Sequence, residues 1–137
     1  MKTKEENKKK YKELNILINS INAVMKNQET KVQKKLHKFY DKIKTYNEMY
    51  STQLDELRLD NAAVDDKGVL LLDETGGYKF QKEGIKKLNA DFEILNEKEF
   101  DYKFIEVINP QGLEKFHFLK DWTVGIEFDK IEEEEEL

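Results

Sequence analysis

Apolar positions in this chain step by three and four residues up to about residue 60 and switch to short mixed runs after it. In residues 3–26, Tyr11, Leu14, Leu17 or Ile18, Ile21 and Val24 or Met25 recur at helical spacing, so a helix is expected, fraying over its polar first ten residues. KNQET at 26–30 reads as a break, with Asn27 or Thr30 available to cap a second helix. Over 31–60 the signal is stronger. Val32, Leu36, Phe39, Ile43, Tyr46, Tyr50, Leu54 and Leu57 step by 4, 3, 4, 3, 4, 4 and 3, a near-heptad stripe with charged residues on the other faces and no Gly or Pro inside. At about 1.5 Å per residue this helix would be ~45 Å long. A small core cannot cover that length, so the seam is expected to pack on the first helix or on a neighbouring subunit.

After residue 62 the pattern changes. The stretch AVDDKGVLLLDETGGYKF, residues 63–80, carries four acids and three glycines. DDKG at 65–68 reads as the stop of the long helix, and VLLL at 69–72 with YKF at 78–80 as a hairpin about DETGG. Ile85, Leu88, Phe92 and Leu95 predict a further helix over 81–98, with Gly84 weakening its first turn. In EFDYKFIEVI, Phe100, Tyr102 and Phe104 alternate to one side and Ile105 and Val107 to the other, which predicts a strand bulged near Phe104–Ile105. NPQG at 109–112 is a turn. Residues 122–128 alternate as a strand, and 113–119 read as strand or as one helical turn. The fold class expected is α+β: a long helical hairpin or coiled-coil-like arm over 1–62, a small antiparallel sheet with one crossing helix over 63–128, and an acidic disordered tail over 129–137. No internal repeat is evident from the pattern.

Composition sharpens this. Among 137 residues, 38% are hydrophobic and 39% charged, so one small core is expected, filled by eight Phe, six Tyr and one Trp. There is no Cys, which excludes disulfides, thiolate metal sites and cysteine nucleophiles. No apolar run reaches the ~18 residues of a membrane span, and no apolar stretch follows the basic MKTKEENKKK, so neither membrane insertion nor a secretory leader is expected. Arg58 is the only Arg among 24 basic residues; the Lys and Asn richness points to an AT-rich genome, and the scarcity of Arg argues against bidentate phosphate recognition. Charge is segregated, with net +7 over residues 1–50 and −12 over 51–137. Such halves can pair with neighbouring copies or with partners.

Candidate chemistry is thin. Asp65, Asp66 and Gly68 lack the spacing of a calcium loop, and Gly76–Gly77–Tyr78–Lys79 lacks the order of a phosphate loop. His37 and His117 have no Ser, Cys or second His nearby in sequence to complete a triad or a ligand set. Carboxylate pairs are too numerous to single one out. No catalytic, cofactor-binding or metal residue is expected, and no cofactor. Lys31, Lys34, Lys35, Lys38 and Lys42, interleaved with Phe39 and Tyr40, form a candidate nucleic-acid contact, weighed against negative net charge and rings that belong to the apolar stripe.

The order INSIN, a Lys-rich helix running into YSTQLDELRLDNAAVDDKGVLLLDETGGYKF, and then QKEGIKKLNADFEILNEKEFDYKFIEVI resembles a family of small tailed-phage and prophage proteins of low-GC bacteria whose function is unknown. Glu56, Leu57, Ala62, Asp65 and Gly68 match its charged helix and acidic turn; Glu83, Asn89 and Glu99 match its second helix and strand. The resemblance covers roughly 14–108 and implies a phage origin with no enzymatic residues. The expected function is a non-enzymatic virion, connector or assembly accessory protein, in the virion or the host cytoplasm. It would act through contacts with itself or other phage proteins along the Val32–Leu57 seam. The alternative is a phage inhibitor of a host enzyme or defence complex, presenting an acidic surface.

Overall fold

The computed structural model describes residues 6–130, with the backbone alone for Glu6 and Asn7. The fold is α+β. Its elements are β1 (Glu6–Lys10), α1 (Tyr11–Met25), α2 (Thr30–Asn61), α3 (Lys82–Glu97), β2 (Glu99–Lys103), β3 (Ile105–Glu106), a 3-10 helix (His117–Trp122) and β4 (Thr123–Val124). β1 pairs antiparallel with β2, and β3 pairs parallel with β4. Two compact units result: residues 1–45 with 99–137, and residues 46–98, so that α2 runs through the boundary. Neither break falls at residue 62, because the long helix contributes its two halves to different cores. Of the segment expected to be an acidic tail, Asp129 donates its amide to the Glu114 carbonyl at 3.0 Å; residues 131–137 lie outside the described residues, as do 1–5.

The first unit is an aromatic core. Tyr11, Leu14, Leu17 and Ile21 form the buried face of α1, as their spacing predicts. Val32, Leu36, Phe39 and Ile43 of α2 are buried too. Phe100 and Tyr102 point inward from β2, whose residues alternate between exposed and buried. Tyr11 stacks on Phe100 with ring centres 4.8 Å apart, and Tyr102 meets Trp122 edge-on at 4.9 Å. The Tyr102 hydroxyl donates to the Trp122 carbonyl at 2.6 Å, which satisfies a polar group that burial would otherwise strand.

Two expectations change here. Residues 6–10 are a strand, not a fraying helix end. ENKKK has no apolar residue to announce a strand. Yet Lys9 is only 9% exposed and lays its ammonium 5.0 Å from the Trp122 ring centre, its stem packing as an apolar side chain would. The strand expected over 122–128 shrinks to Thr123–Val124, because Leu119 and Trp122 bury three residues apart on the 3-10 helix. The Thr123 hydroxyl closes that helix by donating to the Leu119 carbonyl at 2.9 Å. The disturbance expected near Phe104 is present: β2 ends at Lys103, and the chain resumes in the other sheet at Ile105.

The second unit holds the C-terminal half of α2, α3 and the segment between them. Its buried apolar residues are Tyr50, Leu88 and Leu95. Polar contacts tie the helices: Tyr50 Oη donates to Asn96 Oδ1 at 3.0 Å, and Asn61 Nδ2 donates to Asp91 Oδ2 at 3.2 Å. Gly84 has a structural reason, since a Cβ there would stand 2.6 Å from the Asn61 carbonyl oxygen.

Residues 64–79 form two successive copies of one turn. VDDKGVLL and LDETGGYK share Asp, an acid and Gly at equal offsets, an eight-residue repeat that apolar periodicity does not reveal. Asp65 Oδ1 accepts from the amides of Lys67 and Val69 at 2.8 and 3.0 Å. Asp73 Oδ1 accepts from Thr75 and Gly77 at 2.9 and 2.8 Å and from the Thr75 hydroxyl at 2.7 Å. Each loop closes through a glycine of positive φ, Gly68 and Gly76, the conformation of a three-residue hairpin loop. The hairpin expected over 69–80 is therefore the second of a pair, bridged at Leu72–Tyr78, with the first bridged at Val64–Leu70. The legs lock in a ring: Ala63 donates to Lys79, Lys79 to Leu71, and Leu71 to Ala63, at 2.8, 3.2 and 3.0 Å.

Candidate functional site

The apolar stripe of α2 faces the chain's own cores. Val32, Leu36, Phe39, Ile43 and Tyr50 are buried, and Tyr46, Leu54 and Leu57 are half-buried. The first four sit in the aromatic core, so along that half the seam is filled from within the chain. The last three are where the stripe stays accessible.

The five lysines of the candidate nucleic-acid contact separate. Lys35, Lys38 and Lys42, at offsets of 3 and 4 on α2, line a cleft of about 270 Å3 with Ile105–Asn109 on its other wall. Lys34 lines a different opening, with His37 at the junction of α1 and α2. Lys31 lines neither. Phe39 is 4% exposed, so its ring is occupied by the core and offers no face for base stacking. Lys35 Nζ donates to the Gln111 carbonyl, leaving Lys38 and Lys42 as the exposed cations of the rim. Glu106 is the one carboxylate in the wall, and Ile108, 91% exposed, stands beside it.

In the second unit an open groove of about 950 Å3 runs between α2 and α3. Leu57, Ile94 and Leu95 supply its apolar floor; Glu56, Asp91, Glu93 and Glu97 supply carboxylates against one Lys98. Ile94 is 70% exposed. The sequence pattern missed this groove. Ile94 sits one residue before the buried Leu95, off the Ile85–Leu88–Phe92–Leu95 stripe, and that off-stripe apolar residue was the available signal.

The Asp65 and Asp73 carboxylates are occupied by their own loops. The Asp73 carboxyl is held below its ordinary range first by the Thr75 hydroxyl and then by the Gly77 and Thr75 amides. Among the described residues no group of three or more His, Asp or Glu side chains is placed to hold a metal ion, and no helix is long and apolar enough to cross a membrane. His117 lies against Phe128 with ring centres 5.8 Å apart, while His37 is exposed. Compared with family models, with curated proteins and with solved structures, the chain matches none of them.

Proposed function

We propose that this chain is a non-enzymatic bacteriophage protein, a small virion, connector or assembly accessory component that works through protein–protein contacts. The phage setting rests on the resemblance carried by the Glu56–Gly68 and Glu83–Glu99 segments. The mode of action rests on one observation. Of the large apolar side chains exposed among the described residues, all but Ile16 and Ile108 lie in the second unit, on α2, α3 and the two turns. Scattered exposed apolar residues are ordinary, but this concentration in one small unit supports a reading in which a partner covers them. Mass spectrometry of purified phage particles tests the reading. The expected result is this polypeptide at a fixed copy number; its complete absence would overturn the virion assignment.

The acidic balance of the second unit, twelve acids against seven bases, supports the alternative of an inhibitor that presents carboxylates to a host enzyme or defence complex. That reading expects early expression, absence from particles and a host protein retained on the tagged chain.

A further inference from the structure

We propose that copies of this chain associate head to tail, the lysine-rimmed cleft of one copy meeting the acidic groove of the next. This deepens the proposed function and rests on its contact-protein reading. Ile108 and Ile94 are the two most exposed large apolar side chains of the described residues, at 91% and 70%. Each is one of the residues lining a recess, and the recesses carry opposite charge. Around Ile108 are Lys35, Lys38 and Lys42 against Glu106; around Ile94 are Glu56, Asp91, Glu93 and Glu97 against Lys98. Over the whole units the contrast is neutral against acidic: residues 1–45 with 99–137 carry net 0, and residues 46–98 carry net −5.

Each surface joins an exposed aliphatic side chain to charged neighbours, and protein interfaces combine an apolar core with a polar rim. The apolar centre supplies burial; the rim sets register and rejects like surfaces. Two grooves placed face to face would oppose eight carboxylates, and two clefts would oppose six ammonium groups, so a two-fold symmetric dimer through either surface is disfavoured. Cleft to groove satisfies both at once. Because the two surfaces differ, the contact is heterologous, and its repetition gives a closed ring or a filament. Nucleic acid fits the cleft less well. Phe39 is turned into the core, and the only Arg, Arg58, is on the far half of α2 from these lysines.

Size-exclusion chromatography with light scattering on the full chain reads this contact. The wild-type chain is expected to form a concentration-dependent oligomer that dissociates as salt rises. Lys38→Glu with Lys42→Glu, and separately Glu56→Lys with Glu93→Lys, should each weaken association about tenfold or more. All four side chains are exposed, so unchanged circular dichroism verifies that the variants fold. Mixing the two double variants should restore association, since one keeps an acidic groove and the other a basic cleft. A wild-type chain that stays monomeric at every concentration, an oligomer indifferent to both double variants, or a mixture that fails to associate overturns the proposal. An oligomer untouched by Lys38→Glu with Lys42→Glu, with oligonucleotide retention lost in that variant, assigns the cleft to nucleic acid and overturns it too. Each of these results is separate from particle content, which tests the wider reading on its own.

Discussion

The two units spend their apolar residues in opposite ways. The first folds aromatic and aliphatic side chains from α1, α2, β2 and the 3-10 helix into one core, with Tyr102, fully buried, touching Phe100, Phe104 and Trp122. The second buries Tyr50, Leu88 and Leu95 and leaves Met49, Leu59, Val69, Leu72, Ile85 and Ile94 exposed. Half-buried Leu54, Leu57, Phe80 and Phe92 add to that small core, and hydrogen bonds brace it: the ring at Ala63, Leu71 and Lys79, the aspartate-braced turns, and the ties from Asn61 and Tyr50 to α3. Backbone hydrogen bonds fix shape but add modest net stability, whereas burial adds a great deal. The first unit is therefore the stable body and the second a shaped surface.

The largest effect that would break this contrast is expected from Tyr102→Ala. It empties the centre of the aromatic core and should cost about 3–5 kcal/mol, a large share of a small domain's stability, read by chemical denaturation. If the loss is no greater than that from an exposed-site control, the first unit is not the stable body. Next comes Gly84→Ala. Helix propensity alone would favour Ala by about 1 kcal/mol. The Asn61 carbonyl 2.6 Å from the new Cβ should reverse the sign and cost about 1–3 kcal/mol by forcing α3 off the end of α2. Amides of 82–97 should then exchange faster while those of α1 do not.

Gly68→Ala and Gly76→Ala should each cost about 1–2 kcal/mol, because φ of +80° and +85° strains a side chain that bears a Cβ. Near-equal costs are the signature of a true structural repeat. A silent Gly68→Ala would mean that the first turn does not hold residue 68 at positive φ in solution. The smallest effect is one of pH. Asp73 is held below the ordinary carboxyl value of 3.8, so its contribution is fully present above that value and is lost as pH falls through the lowered folded value. Protection of the Thr75 and Gly77 amides should fall in that acid window and persist above it, and Asp73→Asn should flatten the dependence.

Particular residues show what could be read from the chain alone. The α2 stripe and the α3 stripe were legible because their apolar positions repeat at helical steps and no Gly or Pro interrupts the first. The break at Phe104 was legible because the alternation changes sides there. β1 was not, because its one inward residue with a described side chain is Lys9, whose polarity hides an apolar stem over Trp122. The eight-residue repeat escaped because it lies in Asp and Gly positions, and periodicity searches weigh apolar ones. The lysine cleft was half legible: the i, i+3, i+7 spacing of Lys35, Lys38 and Lys42 is in the sequence, but the wall of Ile105–Asn109 opposite them comes from a segment some seventy residues later.

Amide hydrogen exchange along α2, in dilute solution of the full chain, tests the contrast most directly. Residues 32–43 and 46–57 belong to one uninterrupted helix, so helix propensity gives no reason for a step between them. The account predicts one: protection is high through Ile43 and falls beyond Thr45, where the helix leaves the aromatic core. Uniform protection from Val32 to Leu57 would contradict it, because both halves of the helix would then be held equally by their cores.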